Sequence, residues 1–132
     1  MTRPFRSVLY IPGSKERALE KARDLPTDAI IFDLEDAVSP EEKDRARDLL
    51  AEELTAQDFG ARLRIVRVNG LDSPWGAADL AVLAGHPGVD AVLVPKVNAP
   101  ADLDAVAAVV AKPLWAMLET AQGCLNAAAI AA

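Results

Sequence analysis

The sequence predicts an α/β fold in which strand–helix units repeat along a parallel sheet. Three observations predict it. Short runs rich in Val, Ile and Leu recur along the chain, most are followed by a helix-start signal, and the runs lack polar alternation. Strands flanked by helices read this way, and strict β-α alternation implies a parallel sheet with helical crossovers.

The apolar runs are Ser7–Ile11, Ala29–Leu34, Ile65–Val68, Ala91–Val94 and Leu114–Leu118. After the first, Ser14 is placed to cap a helix with Ala18, Leu19, Ala22 and Leu25 on one face. After the second, Ser39-Pro40-Glu41-Glu42 offers a capping Ser, a Pro at the first helical position and a Glu three residues on. Ala46, Leu49, Leu50 and Leu54 form the buried stripe of that helix. Ser73-Pro74 repeats the start signal and Gly85 supplies a stop. Leu103, Val106, Ala107 and Val110 mark a fourth helix, and Thr120 opens a fifth that runs through Asn126 to Ala132.

Each unit takes roughly 27 residues, close to the spacing of a (β/α)8 barrel. Pattern alone leaves two architectures open, a small open sheet of flavodoxin type and the first part of a barrel. The last helix is still apolar at Ala131-Ala132, without a charged last turn. That favours a chain holding about the first five βα units of a barrel, with residues 1–132 the N-terminal part of a single domain that continues.

The composition is that of an ordinary globular protein: 132 residues, 52% apolar and 26% charged. A net charge of −6 argues against a general nucleic-acid surface. The single cysteine, Cys124, excludes an intrachain disulfide and a cysteine zinc site, which fits a reducing, cytoplasmic setting. Met1-Thr2-Arg3-Pro4-Phe5-Arg6 is not followed by a signal-peptide core, and no run approaches the roughly 20 apolar residues of a membrane span.

Ligands of parallel α/β folds bind beyond the carboxyl ends of the strands. Those ends read Tyr10-Ile11-Pro12-Gly13-Ser14, Asp33-Leu34-Glu35-Asp36, Arg67-Val68-Asn69-Gly70, Pro95-Lys96 and Glu119-Thr120. Charge at a sheet's edge is costly unless it is paired or holds a metal. Carboxylates, Arg and Lys gathered at one rim are what a site for Mg2+ and a carboxylate substrate requires, since Mg2+ takes oxygen ligands and keeps several waters. Glu119 is the candidate ligand, and Arg67 can grip a carboxylate with two parallel hydrogen bonds. Singly, each residue also has a plainer reading: Asp33, Glu35 and Asp36 as a solvated loop, Arg67 as a structural ion pair, Lys96 as a rim brace, Glu119 as helix-start chemistry. His86 reads as a turn residue, and Cys124, Trp75 and Trp115 as packing residues. Nucleotide-loop and serine-hydrolase motifs are absent.

Taken together, Arg6-Ser-Val-Leu-Tyr-Ile-Pro-Gly-Ser14, Ile31-Phe-Asp-Leu-Glu-Asp-Ala-Val38, Arg67-Val-Asn69, Val94-Pro-Lys96 and Leu118-Glu-Thr-Ala-Gln-Gly123 resemble the citrate lyase β-subunit and malyl-CoA lyase family of the HpcH/HpaI aldolase group. The resemblance runs along nearly the whole chain and is specific for the family rather than for a substrate. It implies a (β/α)8 barrel. It implies Glu119 as a Mg2+ ligand and Arg67 as the residue binding the keto-acid carboxylate. Glu35 and Asp36 would reach the metal through water, and Lys96 would order these carboxylates. Lys15 and Lys21 match positions that meet the CoA phosphates, and Tyr10 would lie beside the thioester. A second metal-binding Asp is expected beyond residue 132.

The implied activity is Mg2+-dependent carbon–carbon cleavage of a β-hydroxy acyl thioester, citryl-CoA or citryl-acyl carrier protein first. The alternatives are a malyl-CoA or citramalyl-CoA lyase or thioesterase, a class II pyruvate aldolase, or a non-catalytic truncated barrel module. The implied partners are a CoA or acyl-carrier-protein thioester and further copies of the chain in a trimer or hexamer. A Schiff base at Lys96 is not needed, because no neighbour obviously lowers its pKa.

Overall fold

Runs of residues that alternate between two apolar faces become strands, and here they form one five-stranded sheet. The computed structural model describes residues 3–132; Met1 and Thr2, the start of the stretch read above for a leader, lie outside the described residues. The strands are β1 (Val8–Pro12), β2 (Ala29–Asp33), β3 (Leu63–Arg67), β4 (Ala91–Val94) and β5 (Leu114–Ala116). Between and after them lie α1 (Glu16–Ala22), α2 (Lys43–Ala56), α3 (Gly76–Leu83), α4 (Pro100–Ala107), α5 (Ala121–Leu125) and α6 (Ala127–Ala131). The sheet order is β1-β2-β3-β4-β5, and every pair is parallel.

The two faces of the sheet differ. Ile30 and Phe32 of β2, Val66 of β3, and Val92 and Val94 of β4 join Leu19, Ala22, Ala46, Leu50, Leu54, Leu80, Leu83 and Val106 from the helices in the main core. The alternate strand residues, Ala29, Ile31, Ile65, Ala91 and Leu93, form a second, smaller layer with Phe5, Leu63, Trp115 and Met117. Among the described residues no helical residue enters that second layer. All the packed helices therefore lie on one face, and strands follow one another in chain order. An open doubly wound sheet has helices on both faces and a reversal of strand order. The chain is instead five βα units of a (β/α)8 barrel, with the second layer on the face that points toward a barrel axis. None of the described helices is long and apolar enough to cross a membrane.

Several local expectations are corrected. Ser14 does not cap α1: Lys15 takes the cap position, and the Ser14 hydroxyl is buried without a hydrogen-bond partner. Ser39 does not cap the next helix through its side chain. Its hydroxyl donates to Glu42 Oε2 (3.1 Å) while its carbonyl accepts from the Glu42 amide, so a 3-10 turn over Pro40–Glu42 precedes α2. Thr120 does cap α5, accepting from the Gly123 amide at 3.0 Å. The terminal helix breaks at Asn126, whose ψ of 8° leaves the helical region and whose side-chain amide donates to the Asn98 carbonyl at 2.7 Å. Cys124 is exposed and not a packing residue. Trp115 packs on Phe5 with ring centroids 5.6 Å apart, and His86 sits in a turn where its ring accepts from the Gly88 amide.

Phe32 anchors the main core, fully buried and edge-on to Phe59 with centroids 5.2 Å apart. In the full-length protein Phe32→Ala is expected to lower unfolding free energy by about 3–5 kcal/mol. Urea denaturation measures it; a loss under about 1 kcal/mol would mean that this packing is not what holds β2 to the helices.

Candidate functional site at the carboxyl rim of the sheet

The parallel register sets Asp33 at the end of β2 directly beside Arg67 at the end of β3. The Arg67 guanidinium donates from Nε to Asp33 Oδ1 (2.7 Å) and from Nη2 to Asp33 Oδ2 (2.6 Å). The Glu35 and Ala37 amides each donate to Asp33 at 2.9 Å. An ionised carboxylate has about four acceptor positions, and Asp33 has all of them filled. Burial alone would push the Asp33 carboxyl up; the Arg67 bonds and the two amides outweigh it and hold it below the ordinary Asp value. Arg67 is raised above its ordinary value, first by its hydrogen bonds to Asp33.

Around this pair lie the other rim groups. Glu35 has Oε2 3.4 Å from Arg67 Nη1, and its Oε1 is paired with the Lys96 ammonium. That ammonium also lies 3.5 Å from Asp36 Oδ1. Lys96 has a left-handed backbone, φ 49°, which is strained for a residue with a side chain. In that conformation its amide donates to Glu119 Oε1 at 2.9 Å. Lys96 thus holds Glu119 through its backbone and Glu35 through its side chain. The hydrogen bond to Glu35 is the main cause of a raised Lys96 pKa. Behind Glu119, α5 approaches so closely that a Cβ on Gly123 would run into the Val97 carbonyl. Tyr10 covers the pair from β1: the Arg67 guanidinium lies 5.2 Å from its ring centre, and its hydroxyl donates to Met117 Sδ at 3.2 Å. Burial raises the Tyr10 pKa, with Arg67 opposing and Asp33 and Glu119 adding to it.

The structure therefore brings together Tyr10, Glu35, Asp36, Arg67, Lys96 and Glu119. It does not bring Lys15 and Lys21 to this cluster; both are exposed on or beside α1, and neither ammonium pairs with another described residue. The expected grip of Arg67 on a substrate carboxylate is altered too. Its Nε–Nη2 edge belongs to Asp33, and Nη1 makes longer contacts to Glu35 Oε2 (3.4 Å) and Met117 Sδ (3.8 Å), so a ligand at the Nη1–Nη2 edge would have to replace those. A cavity of about 820 Å³ opens beside the cluster, lined by Glu35, Asp36, Lys43, Asn69, Trp75 and Lys96 among others.

Three residues of the site escaped the sequence reading. Lys43, Asn69 and Met117 were not assigned roles there, although Asn69 lies in the Arg67-Val-Asn69 motif. Met117 was findable by alternation, since it lies two residues after Trp115 and two before Glu119 on the same side of the chain. Lys43 gives no such signal, because a lysine in the first turn of a helix reads as solvated.

Glu119 keeps Oε2 free of the Lys96 amide, so this carboxylate oxygen fits one ligand position of a hard divalent ion. Among the described residues no three His, Cys, Asp or Glu converge tightly enough to make a complete site.

Comparison with known proteins adds to this geometry. The family model described as HpcH/HpaI aldolase/citrate lyase matches residues 6–132. The chain is 67% identical over 130 residues to a (3S)-malyl-CoA thioesterase of Cereibacter sphaeroides strain KD131, covering 98% of the chain and 45% of that protein. It is 34% identical over 138 residues to citrate lyase subunit beta of Leuconostoc mesenteroides subsp. cremoris, covering 96% and 45%. It superposes with a TM-score of 0.79 and 33% identity on CitE from Mycobacterium tuberculosis in complex with magnesium, acetoacetate and coenzyme A, covering 95% of this chain and 43% of that one. The chain spans about half the length of the curated relatives it matches.

Removing Arg67 as Arg67→Met strands the Asp33 charge in the interior, and a loss of about 3–5 kcal/mol is expected by urea unfolding of the full-length protein. The pH dependence has a definite sign. Asp33 lies lower when folded than its unfolded value of about 3.9, so its contribution is complete above that value and fades as pH falls through the folded one. Asp33→Asn is expected to flatten stability against pH below about pH 4; an unchanged acid limb would show that Asp33 is not the group responsible.

Proposed function

The chain belongs to the HpcH/HpaI aldolase/citrate lyase family, and on that premise we propose that it forms the substrate-binding rim of a CoA-thioester enzyme of the (3S)-malyl-CoA thioesterase kind. The observation that carries the reading is the outer Nη1–Nη2 edge of Arg67, where Nη1 makes only long contacts, 3.4 Å to Glu35 Oε2 and 3.8 Å to Met117 Sδ, among Lys96, Tyr10 and Glu119 at the carboxyl end of the sheet. A cationic edge held only by these long contacts suits the terminal carboxylate of a short hydroxy-dicarboxylic acyl group. The degree of likeness, 67% against 34%, favours thioester hydrolysis of a malyl group over the citryl cleavage expected from motifs alone.

In the proposed reaction water adds to the thioester carbonyl, the carbon–sulfur bond breaks, and CoA leaves as its thiol with the free hydroxy acid as co-product. Arg67 fixes the far carboxylate and so orients the thioester. Asp33, with every acceptor position filled, orients Arg67 and takes no part in proton transfer. Lys96 keeps Glu35 and Glu119 apart and in place. Because its pairing with Glu35 holds Lys96 protonated, it does not serve as a Schiff-base amine. Glu119 would hold Mg2+, whose chemistry in such a site is polarisation of a substrate oxygen. Tyr10 closes the β1 side over Arg67.

A second reading is carbon–carbon cleavage of a related thioester, supported by the 34% likeness to citrate lyase subunit beta. It would use the same Arg67 edge and differ in the bond broken. Lys15 and Lys21 remain candidates for the CoA phosphates, in the exposed position that such contacts need. A cytoplasmic location and a homo-oligomer remain part of the proposal.

The test is a panel of malyl-, citramalyl- and citryl-CoA offered to the full-length protein, with free thiol and keto acid assayed separately. Thiol release from (3S)-malyl-CoA, lost on adding EDTA and restored by Mg2+, is expected. Keto acid or glyoxylate without free thiol would transfer the reading to the lyase. Arg67→Lys is expected to lower kcat/KM roughly 100-fold, the size of about 2.7 kcal/mol of lost transition-state binding. Lys15→Glu with Lys21→Glu is expected to raise KM for CoA substrates about tenfold, from exposed pairs of roughly 1 kcal/mol. The KM of a short-chain thioester lacking the nucleotide should not move; equal KM changes for both substrates would remove these lysines from the CoA site.

A further inference from the structure

We propose that Lys43, in the first turn of α2, is a positioning residue for Glu35, acting by holding the backbone on which that carboxylate is carried. Its importance for turnover rests on the function proposed above, whereas its grip on the loop does not.

Lys43 is buried, yet among the described residues its ammonium pairs with no carboxylate within ion-pair distance. It donates instead to three neutral oxygens: the Leu34 carbonyl at 3.0 Å, the Glu35 carbonyl at 2.7 Å and Asn69 Oδ1 at 2.7 Å. An ammonium has three donors and no acceptor, so each proton has one partner. The indole of Trp75 lies 5.2 Å from the nitrogen, and both residues line the cavity. A buried lysine bound wholly to main chain and amide is an expensive way to fill space, since an apolar side chain would do so without desolvating a charge. What an apolar side chain cannot do is fix two successive carbonyls where the chain turns out of β2.

Those carbonyls flank the reacting rim. The Leu34 carbonyl also accepts from Asn69 Nδ2 at 3.0 Å, and the peptide between them leads to the Glu35 side chain that meets Lys96 and Arg67. Asn69 is itself locked. Its amide N–H and its Nδ2 both donate to Asp79 Oδ2, at 2.9 and 2.7 Å, which leaves Oδ1 facing Lys43. Asp79 is fully buried and accepts from Arg47 Nε at 2.9 Å. The positioning thus runs from α2 and α3 through Asp79 and Asn69 to Lys43, and from Lys43 to the loop bearing Glu35.

The experiment compares wild type, Lys43→Met and Lys43→Arg in the full-length protein, by hydrogen–deuterium exchange and by kinetics on (3S)-malyl-CoA. Lys43→Met is expected to speed amide exchange at residues 35–37 about tenfold or more while the strands keep their protection. It should lower kcat about tenfold or more with KM changed less than threefold, and Lys43→Arg should recover part of both. Unchanged exchange in this loop overturns the proposal, as does a loss of protection spread evenly over the chain in both variants. If Lys43→Met does not yield folded protein, Lys43→Arg decides alone, since its altered reach should still loosen residues 35–37. If wild type releases no thiol from (3S)-malyl-CoA, the function proposed above fails while the exchange comparison still judges Lys43.

Discussion

The Asp33–Arg67 pair is the constraint on which the rest of the rim depends. It lies in the sheet register itself, across the β2–β3 ladder, with both side chains almost wholly buried. Isolated charges would be expelled from such a place, because removing an ion from water costs several kcal/mol even after relaxation. The cost is offset here by complete satisfaction of one partner: two bonds from the guanidinium and two from the amides of the next loop. The same four bonds have a geometric consequence. They fold residues 35–37 back over the strand end, which is how Glu35 comes to face Arg67 and Lys96.

Strand alternation then decides which residues share the rim. Tyr10, Asp33, Arg67 and Met117 lie on the face away from the helices, together with the layer of Ile31, Ile65 and Leu93 below them. Their sequence neighbours Ile11, Phe32, Val66 and Ala116 pack toward the helices. A slip of one residue in any strand would exchange the two sets, placing charge in the main core and apolar groups at the rim. The helix-side core therefore guards the register on which the opposite face depends.

The fold was readable because its signals are local. Apolar runs and helix starts gave the alternation, and the strand ends pointed to Glu35, Arg67, Lys96 and Glu119. Which faces the helices cover was not local; it rests on how Leu19, Leu50, Leu80 and Val106 gather on one side, and spacing along the chain is silent on that. Capping failed at Ser14 and Ser39 for a similar reason, since burial in one case and a nearby carboxylate in the other redirected the hydroxyl. Asp33 was named among loop acids, but its role as anchor depends on a partner 34 residues away. Lys43, Asn69 and Asp79 form their network only after α2 and α3 have packed.

The charge balance of the rim bears on what it can bind. Among the described residues, Asp33, Glu35, Asp36 and Glu119 face Arg67, Lys96 and Lys43 as cations, and Lys43 is turned toward main-chain and amide oxygens. Arg67 is already largely neutralised by Asp33. An acyl group bearing a carboxylate and approaching this surface would meet more negative than positive charge at short range, where a low local dielectric makes like-charge repulsion strong. A divalent cation beside Glu119 reverses that balance without disturbing any bond now made. The sign of the site thus agrees with the dependence on Mg2+ proposed for this rim. Arg67 alone, with one edge committed, could orient such a substrate but not attract it.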